Sequence, residues 1–137
     1  MEIFFPVMLL IFHTIFVAGY MGYHRFKAVT QKKVNPEYYK LYVGEEPEEL
    51  RVISRHVSNL LETPPIFYIG AIIAFVTGQT GTLLLALAWT YVALRLVHSA
   101  IHLGGNVVIW RFRVFVLSVF VMTAFLALVT MGLINST

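Results

Sequence analysis

Arg55, Asn59 and Glu62 stand at spacings of four and three where one long apolar segment begins, and Arg95, His98 and His102 stand at three and four inside another. On a helix these spacings bring the members of each set onto one face. A charge inside a membrane span costs about 2.5–3.5 kcal/mol on insertion scales, so charged residues there are rare and tend to be functional. The chemistry open to the two sets together is recognition of a polar, zwitterionic ligand. Glu62 suits an ammonium group, while the guanidinium forks of Arg55 and Arg95 suit carboxylates. The same residues also allow a plainer arrangement, an interhelical ion pair between Glu62 and Arg95.

The remaining titratable residues are read the same way. His98 and His102 lie one turn apart and could hold a metal, but no carboxylate or third ligand is near them in sequence, so no metal site is expected. Hydrogen bonding between helices would serve them equally well. His13, alone in the first apolar segment, reads as a core histidine bonded to a neighbouring helix. Arg111 and Arg113 open the last apolar segment. An arginine placed there can snorkel to the headgroups, or it can turn inward. Turned inward, it adds its charge to the positive end of the helix and stabilises an anion such as a thiolate.

The elements that must position these residues follow from composition. The chain has 137 residues, 58% hydrophobic and 12% charged, against roughly 25% charged in a soluble domain. A single fold of this length has too little interior to bury that much apolar surface, so lipid must be the solvent for most of it. The absence of cysteine excludes disulfides, thiolate metal sites and a cysteine nucleophile of the chain's own. Nucleic-acid binding is not expected either, because the basic residues flank apolar spans and form no stripe with interleaved aromatics.

Four segments, 3–23, 57–76, 83–101 and 114–134, approach the roughly 20 residues that a helix needs to cross about 30 Å of hydrocarbon. This predicts an all-α, up-down four-helix membrane protein of one domain over residues 1–137. The first segment lacks a basic leader, carries Glu2 and shows no small-residue cleavage site, so it is read as a retained helix. Residues 24–55 form a long polar connection, 77–82 a short uncharged one with two glycines, and 103–113 a third that ends in Arg111 and Arg113. Nine of the ten Lys and Arg residues fall in the first and third connections. That asymmetry predicts both connections in the cytoplasm and both termini on the far side. Within the first connection, Asn35-Pro36-Glu37 reads as a turn and Glu45-Glu46-Pro47-Glu48-Glu49 as the acidic start of a helix running into the second span. Pro64-Pro65 predicts a kink there. The ending Asn135-Ser136-Thr137 matches a glycosylation sequon, read as chance.

At these residues the chain resembles the MAPEG family, the membrane-associated proteins in eicosanoid and glutathione metabolism. The resemblance rests on Arg55-x3-Asn59-x2-Glu62 with prolines just after, on Arg95-x2-His98-x3-His102, on Arg111 at the start of the last span, and on Asn35-Pro36-Glu37. The run 94–102 looks most like bacterial members. The resemblance implies a homotrimer in a bacterial inner membrane, with glutathione held between subunits near the cytoplasmic face. By motif, Arg25, Arg55, Asn59, Glu62, Arg95, His98 and His102 would bind glutathione, and Arg111 would activate its thiol. The activity implied is a glutathione transferase, with peroxidase activity a further possibility, acting on lipophilic small molecules drawn from the bilayer. Two positions depart from the pattern: His102 stands where catalytic members usually carry tyrosine, and Ser58 where many carry another arginine. A non-catalytic lipid- or glutathione-binding member of the same family is the first rival reading. A small transporter subunit is the second, though the first and last spans carry few polar residues and no repeat is visible.

Overall fold

The computed structural model describes residues 1–79 and 81–135. It is all helical, with no strand among the described residues. In chain order the helices are α1 (Phe4–Thr30), α2 (Tyr38–Leu41), α3 (Glu48–Glu62), α4 (Pro64–Val76), α5 (Thr82–Leu103) and α6 (Val108–Asn135). α3 and α4 follow one another as a single 29-residue crossing, so four helical segments, 4–30, 48–76, 82–103 and 108–135, are long and apolar enough to span a membrane. They pack as a four-helix bundle, up and down. Thr80, Ser136 and Thr137 lie outside the described residues, so the sequon at the end of the chain does too.

The helices overrun the apolar segments that nucleate them. α1 continues through His24, Arg25 and Lys27 to Thr30, and α3 begins seven residues before Arg55, so the polar connection 24–55 is helical at both ends. A helix stops where its backbone is capped, not where hydropathy falls. For α1 that point is Gln31, followed by Lys32 in the left-handed region at φ 56°. For α3 it is Pro47, after which Glu48 and Glu49 place negative charge against the positive end of the helix. Between them Asn35 forms the expected turn, its Oδ1 accepting from the Glu37 N–H at 2.9 Å.

The second crossing breaks at Thr63. Pro64 and Pro65 have no N–H to donate to the preceding turn, so they end α3 and start α4 as its first two residues. Elsewhere in the spans hydroxyls are satisfied within their own helix, as when Thr14 donates to the Leu10 carbonyl at 2.8 Å and Thr90 to that of Ala86 at 2.8 Å.

Burial divides the bundle into two halves. One half is apolar: Val7 and Leu10 of α1, Phe67 and Ala71 of α4, Ala88 and Tyr91 of α5, and Met122 and Phe125 of α6 form one core. Phe67 sits at its centre, 4.7 Å from the Tyr91 ring and 5.4 Å from Phe125. The approach of α4 to α6 is close enough that a Cβ at Gly70 would overlap Leu126 and crowd Phe125, the role small residues play in membrane packing. The other half, at the end that gathers the basic residues, buries Arg95, His56, His98, Ser99 and His102. Large apolar side chains such as Phe12, Phe16, Ile69, Leu83 and Phe120 point outward, which suits a lipid surround.

Candidate functional site

The C-terminal turns of α5, the middle of α3 and the first turns of α6 converge on a cleft of about 280 Å³. Its polar wall is Arg55 and Asn59 from α3, His98 and His102 from α5, and Arg111 from α6. Its apolar wall is Val108, Phe112 and Phe115, all from α6. Helical spacing explains the grouping: Arg55 and Asn59 are one turn apart, as are His98 and His102 and also Val108, Phe112 and Phe115. Five of the eight residues singled out from the sequence thus share one surface.

Arg95 stands behind that surface. It is fully buried, and its Nη2 donates to Asn59 Oδ1 at 2.6 Å and to the Asn59 carbonyl at 3.2 Å. The guanidinium lies over the Phe115 ring at 5.7 Å, a favourable cation–π placement in a desolvated setting. Among the described residues its Nε and Nη1 have no hydrogen-bond partner. Arg95 therefore orients the Asn59 carboxamide from within.

The plainer alternative, an ion pair between Glu62 and Arg95, does not form among the described residues. Glu62 is exposed at the last residue of α3, where the helix breaks, and no salt bridge among the described residues includes either side chain. Spacing puts Arg55, Asn59 and Glu62 on one stripe, but the stripe straddles the edge of the bundle, so Asn59 faces α5, the exposed Arg55 lines the open cleft, and Glu62 is exposed outside it.

Arg25 is held elsewhere. Its Nη2 donates to Ser54 Oγ at 2.9 Å, its Nε lies 3.7 Å from Glu46 Oε1, and its guanidinium packs over the rings of Tyr39 at 5.1 Å and Tyr42 at 5.8 Å. It ties the 38–46 segment to α3. Burial raises the Tyr39 phenol above its ordinary value, the Glu46 carboxylate reinforces the shift, and Arg25 opposes it.

Two residues that the sequence reading passed over complete the polar half. Ser99 Oγ sits between His13 Nε2 at 2.7 Å and His56 Nε2 at 2.6 Å, so one hydroxyl joins α1, α3 and α5. The His56 ring lies 4.7 Å from that of His102 and 5.8 Å from that of His98. The signal for His56 was its place on the buried stripe with Ile53, Val57 and Leu60, a position for an apolar residue. Ser99 shares the buried face of α5 with Arg95, His98 and His102. Among the described residues no three histidines or carboxylates converge as a metal ion would require.

Arg111 and Arg113 part as two helix positions 200° apart must. Arg111 turns into the cleft, donating from Nη1 to Asn106 Oδ1 at 2.7 Å and to His102 Nε2 at 3.4 Å. Arg113 is exposed and lies over the Trp110 ring at 5.2 Å.

The model of the MAPEG family matches residues 3–131, nearly the whole chain. The chain belongs to the MAPEG family. It is accordingly an integral, multi-pass membrane protein of the glutathione and eicosanoid metabolism family. No curated protein and no solved structure matches this MAPEG chain.

Proposed function

We propose that this MAPEG protein is a membrane-bound glutathione transferase, its polar cleft holding glutathione and its apolar wall admitting a lipophilic electrophile. The observation that carries the reading is the composition of the cleft. Arg55, Asn59, His98, His102 and Arg111 line one side, and Val108, Phe112 and Phe115 line the other. A peptide with two carboxylates, an ammonium and a thiol fits the first wall; an apolar co-substrate fits the second.

Arg111 is placed to activate the thiol. It is the fourth residue of α6, so its guanidinium adds to the positive field at that helix end. Both effects favour thiolate over thiol, and the thiolate is the nucleophile. In the step proposed, the glutathione thiol releases its proton to solvent. Its sulfur then forms a bond to the electrophilic carbon, and the leaving group departs with the electrons of the bond that breaks. Peroxidase activity would draw on the same thiolate.

The exposed Glu62 supports a site shared between subunits. A carboxylate on the outer face of a span, with no salt-bridge partner among the described residues, is costly against lipid. A homotrimer that covers it, with glutathione's ammonium beside it, removes that cost. Arg25, turned away from its own subunit's cleft, would then serve the neighbour's. Gathering nine of the ten Lys and Arg residues at one end favours cytoplasmic placement of that end, with both termini outside a bacterial inner membrane.

The second reading is a non-catalytic binding protein of the same family, favoured by His102 and Ser58 at the two positions that depart from catalytic members. One experiment separates them. Purified trimer titrated with glutathione should develop the ultraviolet absorbance of a thiolate at neutral pH. Arg111→Ala should abolish that band while glutathione still binds through Arg55 and Asn59, and Arg113→Ala should leave it intact. A protein that binds glutathione but shows no band in any of the three forms is the non-catalytic member.

A further inference from the structure

Asn106 has so far been only the partner of Arg111, yet the connection 104–107 is built to aim it. Gly104 ends α5 with its N–H on the Ala100 carbonyl at 3.0 Å, and a Cβ there would sit 2.8 Å from that same oxygen. Asn106 then takes a left-handed conformation at φ 46°, its N–H donating to the Ile101 carbonyl at 2.9 Å. Asparagine adopts that region more readily than most residues. Its backbone is thus fixed from behind, and its side chain reaches forward to Arg111 Nη1 at 2.7 Å.

Asn106 also borders a second cavity of about 390 Å³, together with Tyr20 and His24 of α1 and Glu48 and Glu49 of α3. Among the described residues, the other side-chain hydrogen bond of Arg111, to His102, is a weaker 3.4 Å. Without Asn106 the arginine side chain is free to swing, since an unanchored guanidinium retains several rotatable bonds.

We propose that Asn106 is a positioning residue that holds the Arg111 guanidinium at the place where a bound thiol ionises. This rests on the glutathione reading of the cleft and adds the element that orients its activating charge. Orientation matters here because an electrostatic catalyst works by being in place before the charge develops. A neutral carboxamide oxygen suits the task, since it fixes the guanidinium without cancelling its charge.

The test uses Asn106→Gly in the full-length protein in lipid nanodiscs. Glycine keeps the left-handed backbone and removes only the carboxamide. Two readouts are followed: the pKa of bound glutathione from its thiolate band, and the affinity for S-methylglutathione, which has no thiol to ionise. The pKa should rise by about one unit, leaving roughly tenfold less thiolate at neutral pH, with affinity for the thioether retained. An unchanged thiol pKa in the glycine variant overturns the proposal. So does a matching loss of thioether affinity, which would mark Asn106 as a support of the whole cleft. A wild-type protein that binds glutathione with no thiolate band overturns the activation reading itself, a distinct result.

Discussion

At the scale of the residue, position on a helix decides which charges matter for folding and which for ligand. Glu62 is exposed and forms no salt bridge among the described residues, so Glu62→Gln should leave the fold and assembly intact, as followed by size-exclusion chromatography and thermal unfolding. A hydrogen bond to a charged group is worth about 1.5–3 kcal/mol, so glutathione affinity should fall by roughly tenfold or more. Loss of the folded protein instead would show that Glu62 has a structural partner in the assembly. Ser99 behaves in the opposite way. Ser99→Ala strips the shared partner from His13 and His56, and leaving a buried polar group unsatisfied costs about 1–3 kcal/mol. The expected outcome is a clear drop in melting temperature with the thiolate band retained. Spacing revealed the shared faces of Arg55 with Asn59 and of His98 with His102. It could not reveal Ser99 or His56, because a polar residue on an apolar stripe looks like a flaw in the pattern until its partners on other helices are seen.

At the scale of the element, hydropathy located the four crossings because lipid demands long apolar helices and little else. It did not locate their ends. α1 runs on to Thr30 and α3 starts at Glu48, since caps and turns at Gln31, Lys32 and Pro47 set those limits. Nor could it tell which way the edge of α3 faces, and this is why Arg95 meets Asn59 and not Glu62. The side of the membrane is a separate matter, set by charge. Thr82→Cys, exposed at the first turn of α5 in a chain with no native thiol, should react with an impermeant maleimide only from outside the cell. Labelling only from the cytoplasmic side would reverse the topology.

At the scale of the whole molecule, the apolar half and the polar half meet near Thr63. Pro64 and Pro65 leave the carbonyls of Leu60 and Leu61 without their usual donors, so the second crossing is two rods meeting at a joint. The lower rod is locked by Phe67 and Gly70 against α5 and α6. The upper rod carries Arg55 and Asn59, one wall of the cleft. A pivot at the joint would widen or narrow that cleft while the apolar half stays still, so the breathing of the site is mechanically separate from the integrity of the bundle. Deuterium uptake should register it: the amides of Ile66, Phe67 and Tyr68, just past the joint, should exchange faster than those of Tyr91 and Val92 on the unbroken α5. Replacing both prolines with alanine should bring the two rates together and stiffen the span into one lever.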